Sequence, residues 1–275
     1  MGRSIGRNDE MYHGSTDAAS RRVTVRTDWN DALDRAHERN AAPTRGDLPS
    51  RMLRDVAEVA AQRDVDRYMA VATVPGISRA FRQCSFALIV LHHELMRIPA
   101  MVSEPMLGTI RLQWWRERVA EGPAAQPDGP EALQAIRSAI ARHGMDPARA
   151  GALVDAVEPL FEAQAAGDRG GVHERLAEAS GVLQRSIARL AGVDDGRMLE
   201  RAAAVGRAYR LAWLDGADAA RRELSFARAG DRPQHRAMPA FTLALVTEHR
   251  LAHADRPPSA GLPFRIALAG LRRRF

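Results

Sequence analysis

Residues 86–119 read FALIVLHHELMRIPAMVSEPMLGTIRLQWWRERV, and the first half of this stretch decides the fold class. It continues a pattern in which apolar residues recur at spacings of three and four, which places them on one face of an α-helix. We expect this face to be buried. Its members are Phe81, Cys84, Leu88, Leu91, Leu95 and Ile98. We expect Pro99 to end the helix, because proline lacks an amide hydrogen and clashes with the preceding turn.

Helical patterns follow one another from Met52 onward, and no segment shows the alternation that is typical of a β-strand. The expected helices cover residues 51–61, 64–72, 77–98, 104–121, 130–143, 147–166, 170–191, 196–222, 237–253 and 263–274. The sequence therefore predicts an all-α fold, with a single-domain helical bundle over residues 51–275. Residues 1–50 contain few large apolar side chains, and we expect them to form a flexible N-terminal tail.

Charge and composition limit the classes of function. The chain has 275 residues, is 45% hydrophobic and can therefore bury a sizeable core. All 40 of its Lys and Arg positions are arginine, and the formal net charge of +6 would attract phosphate-bearing partners. Aspartate and glutamate are interspersed with these arginines, and no helix-turn-helix, RNP or zinc-finger pattern occurs. We therefore expect no nucleic acid partner.

The single cysteine and the apolar runs bear on localisation. Cys84 excludes an internal disulfide and fits a reducing compartment, and its place on the apolar stripe favours a small buried side chain over a nucleophile. The longest apolar run, residues 86–91, is far shorter than the ~20 residues that span a bilayer. We expect a cytoplasmic protein, with peripheral binding to the inner face of the cytoplasmic membrane as a further option (the mitochondrial matrix side in a eukaryote).

A second line on the same helix concerns chemistry. His92, Met96 and Ala100 follow each other at four-residue spacing, so their side chains point in the same direction. Two acids on such a line could share a Mg²⁺ ion and hold a diphosphate. An imidazole, a thioether and a methyl group cannot do so.

The chain resembles the squalene/phytoene synthase family of the trans-isoprenyl diphosphate synthase superfamily, in the order and spacing of several segments. These segments are RDVDRYMAVATVP (63–75), residues 86–119, ALVDAVEPLFEA (152–163), ERLAEASGVLQRSIARLAG (174–192) and VGRAYRLAWL (205–214). The most specific part is SEPMLGTIRLQWWRE (103–117). The resemblance covers about residues 52–275 and implies a bundle of the isoprenoid synthase type.

The resemblance also implies where metal ligands should lie. Catalytic members of the family carry two Asp-rich motifs that bind Mg²⁺ and the substrate diphosphates. The acids of the first motif fall at Met96 and Ala100, and those of the second fall near Ala217 and Arg221, so both motifs are lost. Without them the chain lacks the charge stabilisation on which ionisation of an allylic diphosphate depends. We expect no catalytic residue, no metal ligand and no cofactor, and Mg²⁺ only if the chain is an enzyme after all.

The resemblance further implies a substrate cavity that has lost its metal ligands. Its expected lining is His92, Met96, Ala100, Arg111, Trp114, Arg210, Trp213 and Ala217. An arginine in such a cavity could hold a phosphate or carboxylate, whereas the alternative for Arg111 is a surface ion pair. Trp114 and Trp115 are about 100° apart on a helix, so one can be core while the other faces a groove, or both can serve packing.

A retained scaffold with lost acids is most similar to the branch of the family that contains complex I assembly factors. This similarity implies a pseudoenzyme that assists the assembly of respiratory complex I (NADH:ubiquinone oxidoreductase) and binds protein partners in that membrane complex. One alternative is a divergent prenyl-diphosphate transferase of isoprenoid or carotenoid biosynthesis. Another is a carrier that kept an apolar tunnel and binds a prenyl lipid.

The last expected helix, LPFRIALAGLRRRF (262–275), combines an apolar stripe with a basic end. The stripe is Phe264, Leu268, Leu271 and Phe275, and the basic end is Arg272, Arg273 and Arg274. Such a helix can lie on an anionic membrane surface, and Phe264, Leu268 and the three arginines are the candidate contacts. The alternative is a final bundle helix whose cations complement its C-terminal dipole.

Overall fold

The structure is a computed structural model that describes residues 55–102, 104–122, 129–214, 216–253 and 259–275. Within these ranges the secondary structure is helical, with turns and no strand, which confirms the prediction of an all-α fold. The described residues belong to one compact unit that starts at Leu53. The predicted tail, residues 1–50, lies outside the described residues.

The α-helices are numbered here in chain order. They are α1 (Val56–Arg63), α2 (Val65–Ala72), α3 (Arg79–Met101), α4 (Pro105–Ala120), α5 (Glu131–His143), α6 (Ala148–Asp155), α7 (Glu158–Ala165), α8 (Arg169–Leu190), α9 (Gly196–Trp213), α10 (Ala217–Arg228), α11 (Leu243–Ala252) and α12 (Leu262–Arg272). A 3₁₀ helix, His235–Ala240, precedes α11. None of these described helices is both long and apolar enough to cross a bilayer.

Helix α3 lies at the centre of the bundle. Its N-terminus is capped by the Ser78 hydroxyl, which accepts a hydrogen bond of 3.2 Å from the amide of Phe81. The predicted stripe is buried from Cys84 to Ile98, with Leu88, Leu91 and Leu95 fully buried, whereas Phe81 at its start is half-buried. Every side chain from Cys84 to His92 is also buried, since α1, α2, α4, α5, α6 and α8 all pack against this helix.

The prediction that Pro99 ends the helix is wrong, because α3 continues to Met101. A proline removes the hydrogen bond that its own amide would donate to Leu95, and its ring crowds the preceding turn. This cost is tolerated so close to the helix end, since only two more residues follow before Val102 turns into an extended conformation.

Three predicted long helices are broken in the structure. The predicted helix 147–166 divides into α6 and α7, with Pro159 in the first turn of α7. The predicted helix 196–222 divides into α9 and α10 before Gly216, the N-cap of α10. The predicted helix 237–253 begins as the 3₁₀ helix that contains Pro239. Proline and glycine explain these breaks, because both disfavour a helix interior.

Helices α8 and α9 approach each other through glycines. The Ser180 hydroxyl on α8 donates a hydrogen bond of 2.6 Å to the carbonyl oxygen of Gly206 on α9. A methyl group added at Gly206 would lie 2.9 Å from the Cα of Gly181 and closer still to the carbonyl oxygen of Ser180. Only glycine therefore allows these two backbones to lie so close.

We predict that Gly206→Ala destabilises the fold by about 1–3 kcal/mol, because the overpacked contact forces α8 and α9 apart. The matched control is Gly151→Ala in α6, where an added methyl group meets no atom within 4 Å. That change should be neutral, or stabilising by up to about 1 kcal/mol, because alanine is the better helix former. Urea unfolding followed by far-UV circular dichroism measures both, and equal free energies of unfolding for the two variants would contradict the close approach.

Candidate functional site

A group of polar and charged side chains lies inside the bundle, between α2, α3, α8, α9 and α11. We call it the buried polar cluster, and its members are Asp66, Arg67, His92, Ser180, Tyr209, Arg210 and Arg250. Arg210 and Arg250 are half-buried, and the other five are buried. Asp66 and Arg67 are each only 3% exposed, which is unusual for charged residues unless they are paired. The contacts within the cluster therefore decide what this site can do.

Arg67 makes the largest number of different contacts in the cluster. Its amide donates to the carboxylate of Asp64, the N-cap of α2, and its guanidinium binds the same carboxylate at 2.5 Å. The guanidinium also donates to the Ser180 hydroxyl at 2.5 Å. It lies over the ring of Tyr209, with its central carbon 4.5 Å from the ring centroid. The positive charge of Arg67 is thus stabilised by the Asp64 carboxylate, the Ser180 hydroxyl and the Tyr209 ring.

Asp66 is bound from two other helices. Its Oδ2 accepts hydrogen bonds of 3.0 Å from the Tyr209 hydroxyl on α9 and from the Arg250 guanidinium on α11. Arg250 in turn lies 3.3 Å from the centroid of the Trp213 ring. Burial, followed by the nearby charge of Asp64, raises the pKa of Tyr209 well above its ordinary value, so this hydroxyl stays protonated and donates.

His92 is the buried imidazole of the cluster. Burial lowers its pKa well below the ordinary value of 6.5, and the positive charges of Arg67 and Arg210 lower it further. Burial likewise lowers the pKa of Arg210, with Arg67 as the second cause. The imidazole is therefore neutral.

Several buried atoms of the cluster have no hydrogen-bond partner among the described residues. They are Asp66 Oδ1, Arg67 Nε, His92 Nε2, Arg210 Nε and Arg250 Nε. Buried polar groups usually are paired, so these atoms mark the part of the interior where a polar ligand atom would be stabilised.

The residues at the family's metal positions do not fit a Mg²⁺ and diphosphate centre. Mg²⁺ takes oxygen ligands, whereas the positions implied by the resemblance hold Met96, Ala100, Ala217 and Arg221. In the part of the chain that the structure describes, no group of three or more His, Cys, Asp or Glu side chains could hold a metal ion. Asp66, the buried acid of the cluster, is already bound by a tyrosine and an arginine.

The predicted cavity residues divide into three sets. His92 and Arg210 belong to the buried polar cluster, and Trp213 lies at its edge beneath Arg250. Met96 and Ala217 are half-buried. Ala100, Arg111 and Trp114 are exposed, so they do not join the interior group.

Five residues of the cluster were missed by the sequence reasoning: Asp66, Arg67, Ser180, Tyr209 and Arg250. A signal for two of them was present. Asp66 lies four positions before Ala70 and Arg67 lies four positions before Val71, and both of these later residues are buried, so Asp66 and Arg67 share the inward face of α2. Charged residues on an apolar helix face indicate a buried pair. No local pattern indicates Tyr209 and Arg250 as their partners.

Cys84 has its predicted structural role, and the tryptophan pair divides between the core and the surface. Cys84 is 4% exposed, and burial raises the pKa of its thiol to about 11, which keeps it protonated and unreactive at neutral pH. Trp115 is buried, Trp114 is exposed, and the two rings meet edge to face at 5.2 Å. One tryptophan is thus core and its neighbour faces outward.

Helix α4 is apolar on both of its faces. One face packs inward through Gly108, Leu112, Trp115 and Val119. The opposite side exposes four large apolar side chains, which we call the α4 apolar face: Met106, Leu107, Ile110 and Trp114. Three of them follow at four-residue spacing, so they form a continuous stripe on the surface.

The helical bundle built around α3, α8 and α9 has the architecture of the isoprenoid synthase class. The family model described as squalene/phytoene synthase matches residues 60–214. The chain therefore belongs to the squalene/phytoene synthase family.

A curated relative from Bos taurus is named "NADH dehydrogenase (ubiquinone) complex I, assembly factor 6". It is 32% identical over 84 residues, which cover 29% of this chain and 24% of the relative, so the match spans about a quarter of the bovine protein. No solved structure matches the chain.

We predict that the free energy of unfolding falls as the pH is lowered through about 6.5, and that His92→Gln weakens this dependence. Because the pKa of His92 is lower in the folded chain than in the unfolded one, the unfolded chain binds the proton first. Each such histidine contributes a slope of up to about 1.4 kcal/mol per pH unit. Urea unfolding at several pH values between neutral and mildly acidic measures the slope. An unchanged slope in the variant would mean that His92 is not held neutral.

Proposed function

We propose that this member of the squalene/phytoene synthase family is a pseudoenzyme that acts as an assembly factor for respiratory complex I. The observation that carries the proposal is the pairing inside the bundle. Apart from Arg210, the charges that remain there, Arg67, Arg250, Asp64 and Asp66, are bound to one another and to Tyr209 rather than arranged around a space for metal and diphosphate.

The chemistry of the family explains why this pairing matters. Departure of an allylic diphosphate needs cations that are aimed at the developing negative charge, and positioned stabilisation of this kind supplies a large part of the rate. Loss of one such donor costs about 10²–10³ in rate, and this chain has no oxygen ligand at the positions of either motif. The arginines of the cluster that face carboxylates are already neutralised, so they are poor substitutes for the metal.

The surface supports a protein-binding role. Segment 103–117 carries the most specific part of the family resemblance, yet Met106, Leu107, Ile110 and Trp114 expose their apolar side chains. Contiguous exposed apolar surface commonly marks a protein interface, and tryptophan is enriched at the energetic centres of such interfaces. We therefore assign the α4 apolar face to protein partners, and the name of the bovine relative supports complex I as their source.

We predict that deletion of the gene in its own organism lowers the amount of assembled complex I, and that Ile110→Asp fails to restore it. A charge in the middle of the α4 apolar face should prevent burial of this face against a partner. The matched control is Val65→Asp on α2, because Val65 is 57% exposed and Ile110 is 59% exposed. Native gel electrophoresis of membranes and NADH:ubiquinone oxidoreductase activity are the measurements.

Both variants must reach the cellular level of the unmodified chain, as measured by immunoblotting. The unmodified chain and Val65→Asp should restore assembly, whereas Ile110→Asp should restore less than half of it. The proposal would be sunk by a deletion that leaves complex I unchanged. Full restoration by Ile110→Asp would instead show that complex I assembly does not depend on the α4 apolar face.

A second candidate function is that of a divergent prenyl-diphosphate transferase. The observation in its favour is the set of buried atoms without a partner, since Arg67 Nε, Arg210 Nε and His92 Nε2 could bind a phosphate oxygen. Its test is Mg²⁺-dependent release of diphosphate from farnesyl or geranylgeranyl diphosphate by the purified chain. Sustained turnover would replace the pseudoenzyme proposal.

A further inference from the structure

The C-terminal segment carries an unbalanced positive charge. Residues 259–275 contain four arginines, Arg265, Arg272, Arg273 and Arg274, and no aspartate or glutamate. No ion pair is found for any of these four among the described residues. The neighbouring acid on α11, Glu248, is bound by Arg228 at 2.6 Å. Among the described residues, the net charge of this segment is therefore not cancelled by an ion pair.

Helix α12 packs by one side only. Leu262, Ile266, Ala269 and Gly270 face the bundle and are buried. Gly270 lies against Val74, because a methyl group added at this glycine would be 2.9 Å from a Val74 methyl carbon. The tight contact fixes which face of α12 points outward.

The outward side of α12 is apolar at its centre. Phe264 is 71% exposed and Leu271 is 62% exposed, and Leu268 lies between them half-buried. These three positions, spaced by four and three, form one stripe. Phe275 does not belong to this exposed stripe as the sequence suggested. It turns inward and its ring lies 5.0 Å from that of Phe241.

Hydrogen bonds join residues 270–275 to neighbouring segments. Arg228 donates a hydrogen bond of 2.8 Å to the carbonyl oxygen of Phe275, and Arg273 donates one of 2.9 Å to that of Pro233. The ring nitrogens of His235 lie 3.0 Å from the carbonyl oxygen of Gly270 and 2.9 Å from that of Pro75. The exposed stripe is thus presented by a fixed helix, and ordering it on a surface requires little additional loss of entropy.

We propose that this face of α12 docks on the surface of an anionic lipid bilayer. Phe264, Leu268 and Leu271 enter the boundary between headgroups and acyl chains, while Arg265, Arg272 and Arg274 bind lipid phosphates. An apolar stripe flanked by arginines is the pattern of a helix that lies in a membrane interface. A nucleic acid would satisfy the arginines, but it offers no apolar layer for the two leucines. The inference stands independently of the proposed assembly role.

The test is flotation of the purified full-length chain with vesicles, at low and at physiological salt. One set of vesicles is phosphatidylcholine, and the other is an equal mixture of phosphatidylcholine and phosphatidylglycerol. We expect binding to the anionic vesicles to be at least about tenfold stronger and to weaken with salt. The double variants Phe264→Ser with Leu271→Ser, and Arg272→Gln with Arg274→Gln, should each lose about tenfold.

Two matched controls replace exposed side chains of the same types on α10. Phe226→Ser removes an aromatic ring that is 45% exposed, and Arg221→Gln removes an exposed arginine. Both should bind as the unmodified chain does. Equal binding to neutral vesicles, or loss of binding in Ile110→Asp with retention in the α12 variants, would overturn the proposal. Binding to an RNA oligonucleotide without binding to vesicles would overturn it as well.

Discussion

The buried guanidinium of Arg67 is the interaction on which the interior depends. It joins the N-cap of α2, the Ser180 hydroxyl on α8 and the Tyr209 ring on α9. The Ser180 hydroxyl in turn donates a hydrogen bond to the carbonyl oxygen of Gly206. The backbones of α8 and α9 lie close enough for this bond only because residue 206 is a glycine. A charge buried this deeply is costly unless every partner is present, so α2, α8 and α9 are fixed relative to one another.

Charged side chains that are paired with one another across helices are not available to bind a metal ion or a diphosphate. In the catalytic members of the family, carboxylates at the centre bind metal, whereas here Asp64 and Asp66 bind arginines. The exposed apolar faces of α4 and α12 then become the informative surfaces. Helix α12 packs beside Val74, just before α3 begins, and α4 follows the end of α3.

The fold was largely predictable because it depends on local periodicity. The buried positions Leu88, Leu91 and Leu95 follow from their spacing alone. The helix breaks at Pro159 and Gly216 do not, because a proline or glycine ends a helix only where packing does not compensate for its low helix propensity. Three members of the cluster, Ser180, Tyr209 and Arg250, were not predictable. Asp66 meets Tyr209 across 143 positions and Arg250 across 184, and no local pattern encodes such pairings. The exposed side of α4 was missed for a related reason, since an apolar residue suggests burial whether or not a partner covers it.

Calorimetric titration with a non-hydrolysable farnesyl diphosphate analogue, with and without Mg²⁺, tests most directly whether the paired cluster has replaced the family's metal centre. The purified full-length chain is used at neutral pH, where His92 is uncharged. We predict that Mg²⁺ does not change the heat or the affinity, because the residues that the structure describes include no group of His, Cys, Asp or Glu side chains that could hold the metal. Binding that requires Mg²⁺ would contradict this account and would indicate a rebuilt catalytic centre.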